Sequence, residues 1–129
     1  MDRRESVEKL EKRLIEFSVM ILNLTESLPE SKAVRYLSDQ LIRSGTSPAL
    51  NYGEARSAES SVDFIHKMKV CLKELREAYI TLQILQKKIG INKEKGNLEQ
   101  SISECNELIS IFVKSIQTAE ENRKIKPVK

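Results

Sequence analysis

Seven apolar residues constrain the start of this chain. Val7, Leu10, Leu14, Phe17, Ile21, Leu24 and Leu28 recur at intervals of 3 and 4 residues in strict alternation. An α-helix collects such positions on one face, whereas a strand would scatter them over two. The pattern predicts a helix over 3–27 with a two-per-heptad stripe. Phe64, Met68, Cys71, Leu75, Ala78, Leu82, Leu85 and Ile89 repeat it, as do Leu98, Ile102, Cys105, Ile109, Phe112, Ile116 and Ala119. These predict helices over 60–89 and 95–121. Val34, Leu37, Leu41 and Ile42 begin another over 30–57.

Local signals punctuate the stripes. Pro29 suits a first helical turn, where its missing N–H costs nothing. Ser60 with Asp63 reads as a capping box. Lys87 and Lys88 suit a last turn, and Gly90 a C-cap. Asn97 with Gln100 offers a second capping box, with Asn92 as an earlier start. Pro48 follows the small run Ser44-Gly45-Thr46-Ser47. Inside a helix it would leave the Ser44 carbonyl without its N–H partner. One helix kinked near Pro48 is the expectation, with nearby hydroxyls satisfying freed groups, and two separate helices are the alternative. The fold class that follows is all-α, an antiparallel up-and-down four-helix bundle. At 129 residues the chain makes one domain over 1–122. The basic tail 123–129 is expected to fray.

Composition excludes much chemistry. The chain has one histidine and two cysteines. Asp63-x-x-His66 is half of a carboxylate–histidine pair, whereas di-iron bundles need two such motifs and two more carboxylates. Zinc would need more ligands than two cysteines and a distant His66 supply. No Gly-rich phosphate loop or nucleophile motif stands in context. The expectation is therefore no enzyme, no metal, no cofactor and no small-molecule substrate. No apolar run approaches the ~20 residues of a membrane span. Met1-Asp2-Arg3-Arg4 leads into no apolar signal core. The expected compartment is the cytoplasm, with Cys71 and Cys105 as reduced core thiols and a disulfide as the minor alternative.

The third predicted helix carries more apolar residues than one core face needs. Ile65, Leu72 and Tyr79 recur every seven residues beside its main stripe. Ile15, Val19 and Leu22 form a similar extra row on the first helix, and Leu108 with Ile111 on the fourth. Large exposed apolar patches are unusual on monomers. These rows are the expected interface of a homo-oligomer, and a wider core stripe is the alternative.

The formal net charge of +3 conceals a polarised distribution. Residues 60–92 carry +3, residues 93–122 carry −3 and the tail carries +4. His66, Lys69, Lys73 and Arg76 line one strip of the third helix. With Arg123, Lys124 and Lys126 they form a candidate phosphate-neutralising surface for nucleic acid. A solvated face offset by Glu74 and Glu77 is the alternative. Asn51 and Glu54 beside Pro48 read either as a polar binding site or as a network satisfying disturbed backbone.

The segment Arg43-Ser44-Gly45-Thr46-Ser47-Pro48-Ala49-Leu50-Asn51-Tyr52-Gly53-Glu54-Ala55 resembles the signature of the 23S ribosomal RNA intervening-sequence proteins, roughly R-S-x-T-S-I-G-A-N-I-A-E-G. Arg43, Ser44, Thr46, Ser47, Asn51 and Glu54 match it. Asp63-Phe64, Glu74, Glu77 and Glu104-Cys105-Asn106-Glu107-Leu108 are similar to that family too. Pro48 in place of an aliphatic residue and the small-residue order around Glu54 depart from the pattern. The resemblance covers about 5–120. It implies an antiparallel four-helix bundle assembled into a ring-like homopentamer. A related bundle, the accessory variability protein of diversity-generating retroelements, binds a reverse transcriptase and nucleic acid through a positive surface. The resemblance thus implies a non-enzymatic role, with self, structured RNA or a nucleic-acid-binding protein as partners. A protein-interaction scaffold with no nucleic-acid role is the alternative.

Overall fold

A computed structural model describes residues 2–90 and 95–125. Four helices account for nearly all of them: α1 Arg3–Ser27, α2 Lys32–Arg56, α3 Ser61–Ile89 and α4 Lys95–Ile125. Each packs on its chain neighbours, and α1 closes the ring against α4 along the thinnest of the four seams. Arg56 near the end of α2 meets Glu11 near the start of α1 at 2.7 Å, which shows the antiparallel sense. The all-α, up-and-down bundle expected from the stripes is the fold observed.

The periodic residues build the core. Leu14, Phe17, Ile21, Leu41, Met68, Leu75, Leu82, Leu98 and Phe112 are all essentially inaccessible. Each such side chain contributes about 1.5–3 kcal/mol by leaving water. Tyr52 on α2 reaches Phe112 on α4 edge to face, with ring centroids 5.9 Å apart. That edge-to-face geometry suits the ring quadrupoles and ties opposite corners of the bundle.

The helix ends follow side-chain chemistry. The Ser60 hydroxyl accepts from the Asp63 N–H at 3.0 Å, as the capping box requires. Gly90 terminates α3 with φ of 73°, a conformation that favours glycine. Pro29 behaves differently from expectation. It forces Leu28 into an extended conformation, with φ −75° and ψ 151°, so α1 stops at Ser27. Ser31 then caps α2 by accepting from the Val34 N–H at 3.1 Å, and Pro29 stays in the connection. Asn97 lies inside α4, where its carbonyl accepts from the Ser101 hydroxyl; Asn92 falls outside the described residues. α4 runs to Ile125, past the expected end, so Arg123 and Lys124 occupy its last turn and complement the helix dipole.

The α3 row Ile65, Leu72 and Tyr79 also departs from expectation. Ile65 is buried, and Leu72 and Tyr79 pack against the core. α3 meets both α2 and α4, so it needs a wider apolar face than a helix with one close neighbour. Leu108 on α4 is likewise a core residue. Ile15 and Val19 do stand out, at 52% and 50% exposed, with Leu22 at 37%.

α2 is a single helix through Pro48, which is fully buried; the two-helix alternative does not hold. Gly45 permits a close approach of α1. A Cβ there would lie 2.9 Å from both Cγ atoms of buried Ile21. The β-branched Ile21 has little rotamer freedom to yield. We predict that Gly45→Ala lowers stability by about 1 kcal/mol, since overpacking of ~1–3 kcal/mol outweighs the ~1 kcal/mol gain in helix propensity. In a double-mutant cycle, denaturant unfolding should show coupling to Ile21→Ala above about 0.5 kcal/mol; a stabilising Gly45→Ala would contradict the packing argument.

Candidate nucleic-acid interface and the helix-2 signature

The signature residues of α2 take separate structural roles. Arg43 crosses to α3, donating to Glu74 at 2.9 Å and to Glu77 at 2.8 Å. Glu54 pairs with Lys67 at 2.8 Å, one helical stretch away on the same α2–α3 seam. Arg43 and Glu54 are thus two clamps of one seam. Asn51 turns along its own helix and donates to the Ser47 carbonyl at 3.0 Å and its hydroxyl at 2.9 Å. The Thr46 hydroxyl donates to the Ile42 carbonyl at 2.7 Å. The side chains beside Pro48 therefore bond carbonyls other than that of Ser44, contrary to the expected rescue of the freed group. Ser44 Oγ is buried without a hydrogen-bond partner among the described residues.

The electrostatics of the clamp follow from its position. Burial raises the Glu74 carboxyl above its ordinary value, Arg43 pulls it down, and neighbouring Glu77 pushes it up again. The net direction is upward. A matching clamp joins α1 to α4. Arg13 grips Glu104 with two bonds of 2.7 Å and reaches Glu107 at 3.4 Å. This fork geometry is the stronger form of ion pair.

Both cysteines are free and buried. Burial pushes each thiol up to about 12. Cys71 donates to the Pro48 carbonyl at 3.5 Å, and Cys105 donates to the Leu75 carbonyl at 3.2 Å. They act as core residues and weak donors, the reduced pair expected. Among the described residues no cluster of three His, Cys, Asp or Glu could hold a metal. No described helix is long and apolar enough to cross a membrane.

The basic strip lies on the α4 side of α3. His66, Lys69, Lys73 and Arg76 are all exposed. Lys69 pairs with Glu120 of α4 at 3.3 Å. Lys73 and Arg76 form no ion pair with a described residue. Lys69, Lys73 and Arg76 border a shallow depression of about 460 Å³ floored by Leu72, Val113 and Ile116. Arg123 lies at the other side of α4, in a cleft against α1, so it does not continue this strip. Lys124 is exposed on the same last turn, and Lys126 lies outside the described residues. Three expected cations therefore come together on one groove. Sequence reasoning missed Glu120, which faces Lys69 across 51 residues of chain with no local signal to announce it.

These features define an all-α bundle with ion-paired seams and buried, protonated thiols. Residues 8–114 match the 23S rRNA-intervening sequence protein family. The chain belongs to that family. A solved structure similar to it is a protein of unknown function from the S23 ribosomal protein family of Bacteroides thetaiotaomicron. The two share 31% identity over 86% of this chain and 97% of that one, with a TM-score of 0.76. No curated protein matches this sequence.

The Arg43 clamp generates a prediction with a definite sign. A carboxyl raised on folding holds its proton to higher pH than the unfolded chain does. Its contribution to stability therefore declines as pH rises from about 4.5 through the folded value. Arg43→Ala removes the guanidinium that lowers Glu74, so the Glu74 titration, followed by carboxyl NMR, should move to higher pH. A downward or absent movement would show that the pair does not form in solution.

Proposed function

We propose that this protein is a non-enzymatic, cytoplasmic homo-oligomer that binds RNA through the α3 groove bordered by Lys69, Lys73 and Arg76. The observation that carries the reading is that Lys73 and Arg76 stand exposed beside Lys69, without a carboxylate partner among the described residues. Lys73 and Arg76 are free to neutralise phosphates, and counterion release then drives binding. The groove offers Leu72, Val113 and Ile116 between the cations and no aromatic platform, which favours recognition of backbone shape over base sequence. Membership of a family named for ribosomal RNA insertions agrees with this class of partner.

Oligomerisation is supported by Ile15, Val19 and Leu22, which form an exposed apolar row on α1. The expected assembly is a ring of five, in which the strip repeats and weak contacts add by multivalency. The same row favours a second reading, a scaffold that docks a protein and binds no RNA.

One experiment separates the two. With a structured RNA probe, affinity should fall steeply with salt, by tenfold or more between 50 and 200 mM. A Lys69→Glu/Lys73→Glu/Arg76→Glu variant should lose at least that factor at constant salt. Light scattering should give a mass of several protomers, reduced by Val19→Asp. Absent RNA binding, or binding untouched by the triple variant, favours the scaffold; a monomeric wild type would overturn the assembly.

A further inference from the structure

The α1–α4 seam opens toward the end of the bundle where α2 turns into α3. Above, Arg13 holds the two helices together through Glu104 and Glu107. Below that clamp, α1 offers Ser6 and Lys9 while α4 offers Ser115 and Ala119. Small and charged side chains cannot fill the space between two helix axes, so a cleft of about 1580 Å³ remains. Small-molecule pockets span roughly 300–1,000 Å³, and this one is larger. Its floor is apolar, formed by Val7, Leu10, Phe64, Met68 and Ile111.

The rim has one dominant sign. Seven basic residues line the cleft and a single acid, Glu16, does. Arg4, Arg13 and Arg56 are already engaged by Glu8, Glu104 and Glu11. Arg3, Lys9, Lys12 and Arg123 have no ion pair with a described residue. An apolar floor between cations that lack an ion partner among the described residues is complementary to a helix with an apolar stripe flanked by carboxylates. The α1 wall runs from Arg3 to Glu16, which at ~1.5 Å per residue is on the order of 20 Å. A helix of three to four turns covers that length and presents anchors at i, i+3 or i+4, and i+7.

We propose that the α1–α4 cleft is a docking site for an acidic amphipathic helix of a partner protein. The floor takes the partner's apolar stripe. Lys9 and Lys12 on one rim, with Arg3 and Arg123, pair with its carboxylates. This surface lies across α4 from the α3 groove, so it is independent of RNA binding there.

The test uses the full chain and a display library of 14-residue peptides. Selected sequences should share apolar residues at helical spacing flanked by Asp or Glu. A selected peptide should bind in fluorescence anisotropy and lose at least tenfold affinity in Lys9→Glu/Lys12→Glu, both solvent-facing positions that leave the melting temperature unchanged. Ser115→Arg, which fills the cleft, should abolish binding. Selection of nothing, or of basic or neutral peptides, would overturn the proposal. So would binding unaffected by both variants. A change in assembly mass with Ser115→Arg, or competition by RNA that Lys9→Glu/Lys12→Glu removes, would also overturn it, assigning the cleft to a second copy or to nucleic acid.

Discussion

The bundle depends on how closely α2 can approach α1. Gly45 lacks a side chain where Ile21 presses against the helix, and the Ser18 hydroxyl donates to the Gly45 carbonyl at 3.3 Å beside it. Ser44 and Pro48, on the same buried face, are small or compact. A thin α2 leaves room for the large side chains of the other helices. Tyr52 can then reach across to Phe112. The proline is tolerated because tertiary packing surrounds it. Its carbonyl also receives the Cys71 thiol.

Once α2 is seated, its outer edge pairs with the side chains of α3 that face it. Arg43 holds Glu74 and Glu77 at the middle of the α2–α3 seam, and Glu54 holds Lys67 near one end of it. Single exposed ion pairs contribute little. Their consequence is geometric: the acids of α3 face α2, so its cations Lys69, Lys73 and Arg76 face the α4 side. The resemblance of α2 to the intervening-sequence signature is thus, in physical terms, a resemblance in seam packing.

The elements were legible in the sequence wherever the information is local. The 3-and-4 stripes gave four helices, and Ser60 and Gly90 gave two of their ends. Pro29 misled because two local rules compete there, and the extended preference it imposes on Leu28 prevailed over its own tolerance at a helix start. Ile65, Leu72 and Tyr79 form a row that periodicity alone does not distinguish from a second exposed face, because it reports apolar width without reporting how many neighbours a helix has. The partners of Arg13, Arg43 and Lys69 lie 31 to 94 residues away in sequence. No local pattern specifies them. The α1–α4 cleft was invisible for the same reason, since Ser6 and Ser115 become a gap only when placed opposite each other.

In the proposed function the α2 signature is structural and the α3 groove is the RNA contact surface. That assignment is tested most directly by measuring RNA affinity and melting temperature together for Asn51→Ala and Glu54→Gln, with binding read well below the transition. If the groove carries the contact, both variants keep an affinity within a factor of two of wild type, with at most a small change in melting temperature. Affinity lost by tenfold or more in a folded variant would contradict it and place the binding site on α2.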